Sequence, residues 1–169
     1  MSASANPKIG LRPYLPQDAA VLAAIFRASV EELTEDDYNP AQQEAWASLS
    51  DDEAAFGEKL GKSLTLIATF DGSAVGFATL ENNTIIDMLY VHPAATGRGV
   101  ATTLCDALER LAAARGATEL TVDASDTARE FFIHRGFVAH QRNTVTVGDE
   151  WIGNTTMKKA LVAPKGAVS

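Results

Sequence analysis

Between Asp87 and Leu104 the apolar residues change from the period of a strand to that of a helix, and two glycines stand at the change. Ile85, Ile86, Met88, Leu89 and Val91 form an apolar run of strand length, interrupted by Asp87 and closed by Pro93, which has no N–H for a sheet ladder. Val100, Leu104, Leu108 and Leu111 then recur at helical spacing. Gly97 and Gly99 let the backbone turn and let a ligand approach the main chain. The first amides of a helix lack partners and lie at the positive end of its dipole, so this strand–turn–helix offers an anion site, with Arg98 adding a charge between the glycines. A Walker loop is ruled out because no Gly-Lys-Ser/Thr is present. A dinucleotide fingerprint does not fit either, since Gly97 to Thr102 lacks the third glycine and begins several residues past the strand.

The flanking chain predicts the elements around this turn. Lys8 to Leu15 reads as a first strand ended by Pro13 and Pro16, and Asp18 stands where the N-cap of a helix through Leu22, Ile25, Phe26, Ser29 and Leu33 belongs. Thr34 to Asn39 is a polar loop. Helices follow around Ala41 to Leu49 and Asp51 to Lys62, the second weakened by Gly57 and Gly61. Leu64 to Phe70 and Ser73 to Leu80, joined by Asp71-Gly72, carry a strong hairpin signal, and Asn82-Asn83 turns the chain into the strand Thr84 to Val91. A helix over 98–115 ends at Gly116, and Thr118 to Asp123 is a fifth strand. Ala124 to Phe137 holds a short helix capped by Ser125 or by Thr127, with Glu130 at capping-box spacing from Thr127, and ended by Gly136. Val138 to Val147 and Glu150 to Lys159 close the chain as a hairpin, leaving a frayed tail from Ala160.

The 169 residues and 46% hydrophobic content suit one domain spanning 1–169, with its core over about 8–161. Fourteen basic against 22 acidic residues give a net charge of −8 with no Lys/Arg cluster, which argues against nucleic acid and anionic membrane as partners and favours a cationic substrate. One cysteine excludes an internal disulfide framework, and the absence of a leader or long apolar span points to a soluble cytoplasmic protein.

Leu89-x-Val91-x-Pro93 followed by Thr96-Gly-Arg-Gly-Val-Ala101 resembles motif A of the GNAT superfamily of acetyl-CoA-dependent N-acetyltransferases. Gly99 and Ala101 match the last two conserved places of that family's Gln/Arg-x-x-Gly-x-Gly/Ala loop, while Thr96 departs from the first. Ser125 to Phe137 is similar to the family's Asn-x-x-Ala-x-x-x-Tyr-x-x-x-Gly-Phe, with Ala128, Gly136 and Phe137 in register, Ser125 in place of Asn and Phe132 in place of the Tyr that usually serves as general acid. The resemblance implies a mixed α/β (α+β) fold, a largely antiparallel six- to seven-stranded sheet with helices on both faces, splayed between strands 4 and 5. It also implies acetyl-CoA as cosubstrate, held at the pyrophosphate by Gly97, Arg98, Gly99, Val100, Ala101 and Thr102 beside Thr96. The main chain of Leu89 and Val91 would hold the pantetheine and thioester, flanked by Ser125, Ala128 and Phe132. The acceptor would be a primary amine of a small molecule or peptide, and a homodimer stays open.

Acetyl transfer to an amine needs a base, a polarised carbonyl and a leaving thiolate. Asp87 is the candidate base, because a carboxylate inside an apolar strand has either a partner or a job, and Glu81 and Asp123 follow it. Tyr90 and Tyr38 are candidates to assist the departing thiolate in the absence of a phenol at Phe132; alternation also allows Tyr90 to point at a helix. Trp46 reads equally as a core anchor or an acceptor-site residue. His92, His134 and His140 have no metal-ligand spacing, and Cys105 belongs to the buried side of its helix. The rival reading is a non-catalytic acyl-CoA-binding module, which Thr96 and Phe132 favour.

Overall fold

Seven strands lie in one sheet in the order β1-β2-β3-β4-β5-β7-β6 in the computed structural model, which describes residues 8–162. The strands are β1 (Ile9–Pro13), β2 (Leu64–Phe70), β3 (Ser73–Glu81), β4 (Ile85–Val91), β5 (Glu119–Ser125), β6 (Val138–Val147) and β7 (Glu150–Ala160). The helices are α1 (Ala19–Leu33), α2 (Pro40–Ala47), α3 (Glu53–Lys62), α4 (Val100–Ala114) and α5 (Arg129–His134). Every neighbouring pair is antiparallel except β4 and β5. β7 runs to Ala160, so the expected tail begins later; residues 163–169 lie outside the described residues.

The turns follow from their residues. Asp71 and Gly72 both take positive φ (49° and 86°), as a two-residue type I′ hairpin demands, and Asn82 and Asn83 (51° and 61°) do the same before β4. Gly116 sits left-handed past the end of α4. The side-chain caps differ from expectation. Asp18 precedes α1 without capping it: both of its carboxylate oxygens accept from Arg12 at 2.8 Å, and one also takes the Leu15 N–H. At α5, Ser125 Oγ accepts the Ala128 N–H at 3.1 Å, whereas Thr127 donates to Asp37, so no capping box forms. Asn39 caps α2, whose last turn tightens into a 3₁₀ segment at Ser48–Ser50.

Two cores flank the sheet. Leu22, Ile25, Phe26 and Val30 of α1 pack with Phe56 and Leu60 of α3 over Ile67, Phe77 and Met88. On the other face Leu104, Leu108 and Ala112 of α4 and Phe132 and Phe137 around α5 cover Ala78, Leu80, Ile86, Leu120 and Met157. Cys105 is fully buried here, and burial pushes its thiol up to about 12, which keeps it protonated and unreactive. No helix among the described residues is long and apolar enough to cross a membrane.

Candidate active site

β4 carries a bulge at Asp87. Thr79 pairs with Met88 and Leu80 with Ile86, so Asp87 is the extra residue on its strand. The effect shows in the cores: Ile86 enters the α4 side, and Met88, two residues on, enters the α1 side. Regular alternation would put both on one face. The same point is where β4 and β5 part, for their ladder has only two registered pairs, Ile85 with Thr121 and Ile86 with Val122. Beyond the bulge the N–H of Met88 donates to Thr79 Oγ1 (3.0 Å) and that of His92 to the Val75 carbonyl (2.8 Å), both on β3. Alternation therefore aims the amides of Leu89 and Val91 the other way, into the gap.

The gap is a cavity of about 280 Å³. It brings together Asp87, Leu89, Tyr90, Val91, Thr96, Ala101, Ser125, Ala128 and Phe132. Ser29, Leu33 and Thr34 at the α1 end, Trp46, Asp123 and Phe131 also line it. Phe131 was not among the expected site residues, and Ser29 carried only the signal of a small polar residue on an apolar helical face. Beyond Ala101 a second hollow of about 250 Å³ is lined by Gly97, Gly99, Val100 and Thr102. Gly97 and Gly99 have φ of +77° and +84°, and a Cβ on either would meet no protein atom within 4 Å, so the space beside the turn is open. The helical ladder starts with Thr103 N–H to the Gly99 carbonyl (2.9 Å), which leaves the amides of Val100, Ala101 and Thr102 ahead of it. Gly76 on β3 lets α4 come this close: a Cβ there would lie 2.9 Å from Val100 Cγ1.

Three expected residues stand differently. Arg98 lines neither hollow; its guanidinium carbon lies 5.7 Å from the centre of the Phe70 ring. Tyr38 lies outside the main cavity, because its hydroxyl donates to the Gly153 carbonyl (2.7 Å) and accepts from the Asp126 N–H (2.8 Å), tying the α1–α2 loop to β7 and the end of β5. Burial pushes its phenol above the ordinary value. Asp87, expected inside the strand, is turned out by the bulge; its side chain, 28% exposed, pairs with Lys59 Nζ at 3.4 Å. Tyr90 packs its ring 4.6 Å from that of Phe26 and accepts from Trp46 Nε1 (3.2 Å), and burial raises its phenol as well. Trp46 is therefore both anchor and cavity wall. Asp123, on the far wall, accepts from Thr156 Oγ1 at 2.6 Å.

A parted strand pair beside a glycine turn matches what family comparison finds: residues 34–161 fit the GNAT acetyltransferase domain. The chain belongs to the GNAT family. This GNAT protein is 38% identical over 150 residues to the uncharacterized N-acetyltransferase YafP of Escherichia coli K12, covering 89% of this chain and 95% of that one. The crystal structure of a GCN5-related N-acetyltransferase from Rhodopseudomonas palustris superposes with a TM-score of 0.90 at 62% identity, over 95% of this chain and 99% of the other. The PaiA N-acetyltransferase of Thermoplasma acidophilum, solved in complex with coenzyme A, shares the fold at 20% identity, with a TM-score of 0.76 over 90% of this chain and 99% of that one. The GNAT fold thus accounts for the seven-stranded sheet, its single parallel junction and the helices on both faces.

Proposed function

We propose that this GNAT acetyltransferase moves acetyl from acetyl-CoA to a primary amine of a small molecule or peptide by direct attack. The observation that carries the reading is the early parting of β4 from β5, which turns the Leu89 and Val91 amides toward a cavity continuous in sequence and lining with the glycine turn. The residues fit the cosubstrate: three unpaired helix amides and two glycines without Cβ suit a pyrophosphate, and a narrow apolar trough suits a pantetheine arm. Acetyl-CoA supplies an activated acyl group and a good leaving thiolate. Its use by this chain is further supported by solved relatives that hold coenzyme A or acetyl-CoA.

Within that frame, Val100, Ala101 and Thr102 bind the diphosphate through their amides. A Leu89 or Val91 N–H aimed at the carbonyl oxygen stabilises its developing charge, a contribution of about 3–4 kcal/mol for such donors. Asp87 takes one proton from the ammonium and passes it to solvent, the neutral amine forms the C–N bond, and the nitrogen gives up its second proton to solvent as the C–S bond breaks. Tyr90 keeps its proton at neutral pH and can stabilise a thiolate by a hydrogen bond, while solvent supplies the proton that the sulfur finally takes. Thiol release from acetyl-CoA with a panel of primary amines tests the reading. Amine-dependent release supports transfer; tight acetyl-CoA binding with no release across the panel identifies the acyl-CoA-binding module that Phe132 favours.

A further inference from the structure

Asp87 and Tyr90 line not only the parted-strand cavity but also a separate hollow of about 390 Å³ on the α1–α3 side of β4. Most of its wall is apolar: Phe26 and Phe56 stand with their rings 5.5 Å apart, beside Met88, Tyr90 and Leu49. It opens to solvent beside Ala55 and Leu49, and Leu49 is 57% exposed, a large aliphatic side chain left uncovered at the mouth. Only two charged residues line it, Lys59 and Asp87, and they are each other's partners. The hollow therefore offers apolar contact without a surplus of negative charge, although the chain as a whole carries −8.

We propose that this hollow receives the body of the acetyl acceptor, and that the acceptor is a monoamine on a compact aromatic or branched aliphatic group rather than a polyamine. The inference rests on the transferase reading and deepens it. The amine meets Asp87 where the two cavities share a wall, and the apolar body lies against Phe26, Phe56 and Met88. Transferring such a body from water is favourable in proportion to its apolar area, whereas a second ammonium in the hollow loses hydration and faces Lys59. A smaller hollow of about 140 Å³ by Tyr38, Asp123 and Asn154 holds a carboxylate with no lysine beside it among the described residues and is the alternative entrance for a charged acceptor.

Calorimetric titration of the protein saturated with coenzyme A, using 2-phenylethylamine and spermidine as probes, reads this without turnover. The expected result is at least tenfold tighter binding of 2-phenylethylamine, and its loss in Ala55→Trp, an exposed helix position whose larger side chain fills the hollow. Acetyl-CoA affinity of the variant should match wild type, which verifies its fold. Preference for spermidine, or undiminished 2-phenylethylamine binding in Ala55→Trp, overturns the proposal while leaving amine-dependent thiol release, and with it the transferase reading, intact. Thiol release absent with every amine fails the transferase reading instead.

Discussion

Asp87 shows how one residue's role depends on the backbone that presents it. Its ion pair with Lys59 is exposed on the lysine side and so is worth little, within about 1 kcal/mol. Asp87→Asn should accordingly leave the urea midpoint almost unchanged while lowering kcat/KM by about 10²–10⁴, the usual share of acid–base catalysis. Unchanged activity would move the base to Asp123, the other carboxylate on the cavity wall. Asp18 behaves oppositely. It is buried, and the Arg12 guanidinium holds its carboxyl below the ordinary value. Its contribution to stability is thus complete above about pH 4 and is lost as pH falls through the lowered folded value. Urea midpoints of wild type and Asp18→Asn should differ most near neutrality and converge toward pH 2; a constant gap would mean the ionised pair is not what Asp18 contributes.

At the scale of elements, the strand–turn–helix from β4 to α4 divides into parts that were readable and a part that was not. Positive φ at Asp71-Gly72, Asn82-Asn83 and Gly116 follows from what those residues tolerate locally, so the meander and the end of α4 were legible in the chain. The bulge at Asp87 was not, because it is a difference in count between two paired strands and exists only once β3 and β4 are in register. The Arg12 partner of Asp18 and the Asp37 partner of Thr127 are tertiary for the same reason. Arg98 adjoins the glycines in sequence, yet it leans on Phe70, a contact no local rule announces. The turn's own prediction concerns Gly99. A Cβ at φ +84° meets open space in the protein, so Gly99→Ala costs only the left-handed strain of about 1–2 kcal/mol, but it projects where the proposed function puts a phosphate. Calorimetry should find acetyl-CoA binding weakened at least tenfold; wild-type affinity would place the phosphates elsewhere.

On the scale of the molecule, the sheet is two runs of well-paired strands, β1–β4 and β5-β7-β6, joined by two residue pairs and by the helices that cross them. A ligand lying in that junction touches both runs, so it should stabilise the whole. At a hundredfold excess over Kd the linkage amounts to about 2.7 kcal/mol, or a rise of roughly 5–10 °C in Tm for a chain of this size. A thermal scan with saturating acetyl-CoA measures it, and an unchanged Tm would mean that the ligand does not bind the native state.

The same junction has a consequence for how each chain is made. β1 to β4 each have their antiparallel neighbour next in strand order, and can pair as they emerge from the ribosome. β5 cannot: β4 offers it two residues, and its full seven-residue partner is β7, the last strand among the described residues. The second half of the sheet must therefore wait until β7 has been made. A nascent chain stalled before Glu150 would hold a finished meander beside a β5 with almost nothing to bond, and the surface proposed to receive the thioester would take shape only after β7 arrives.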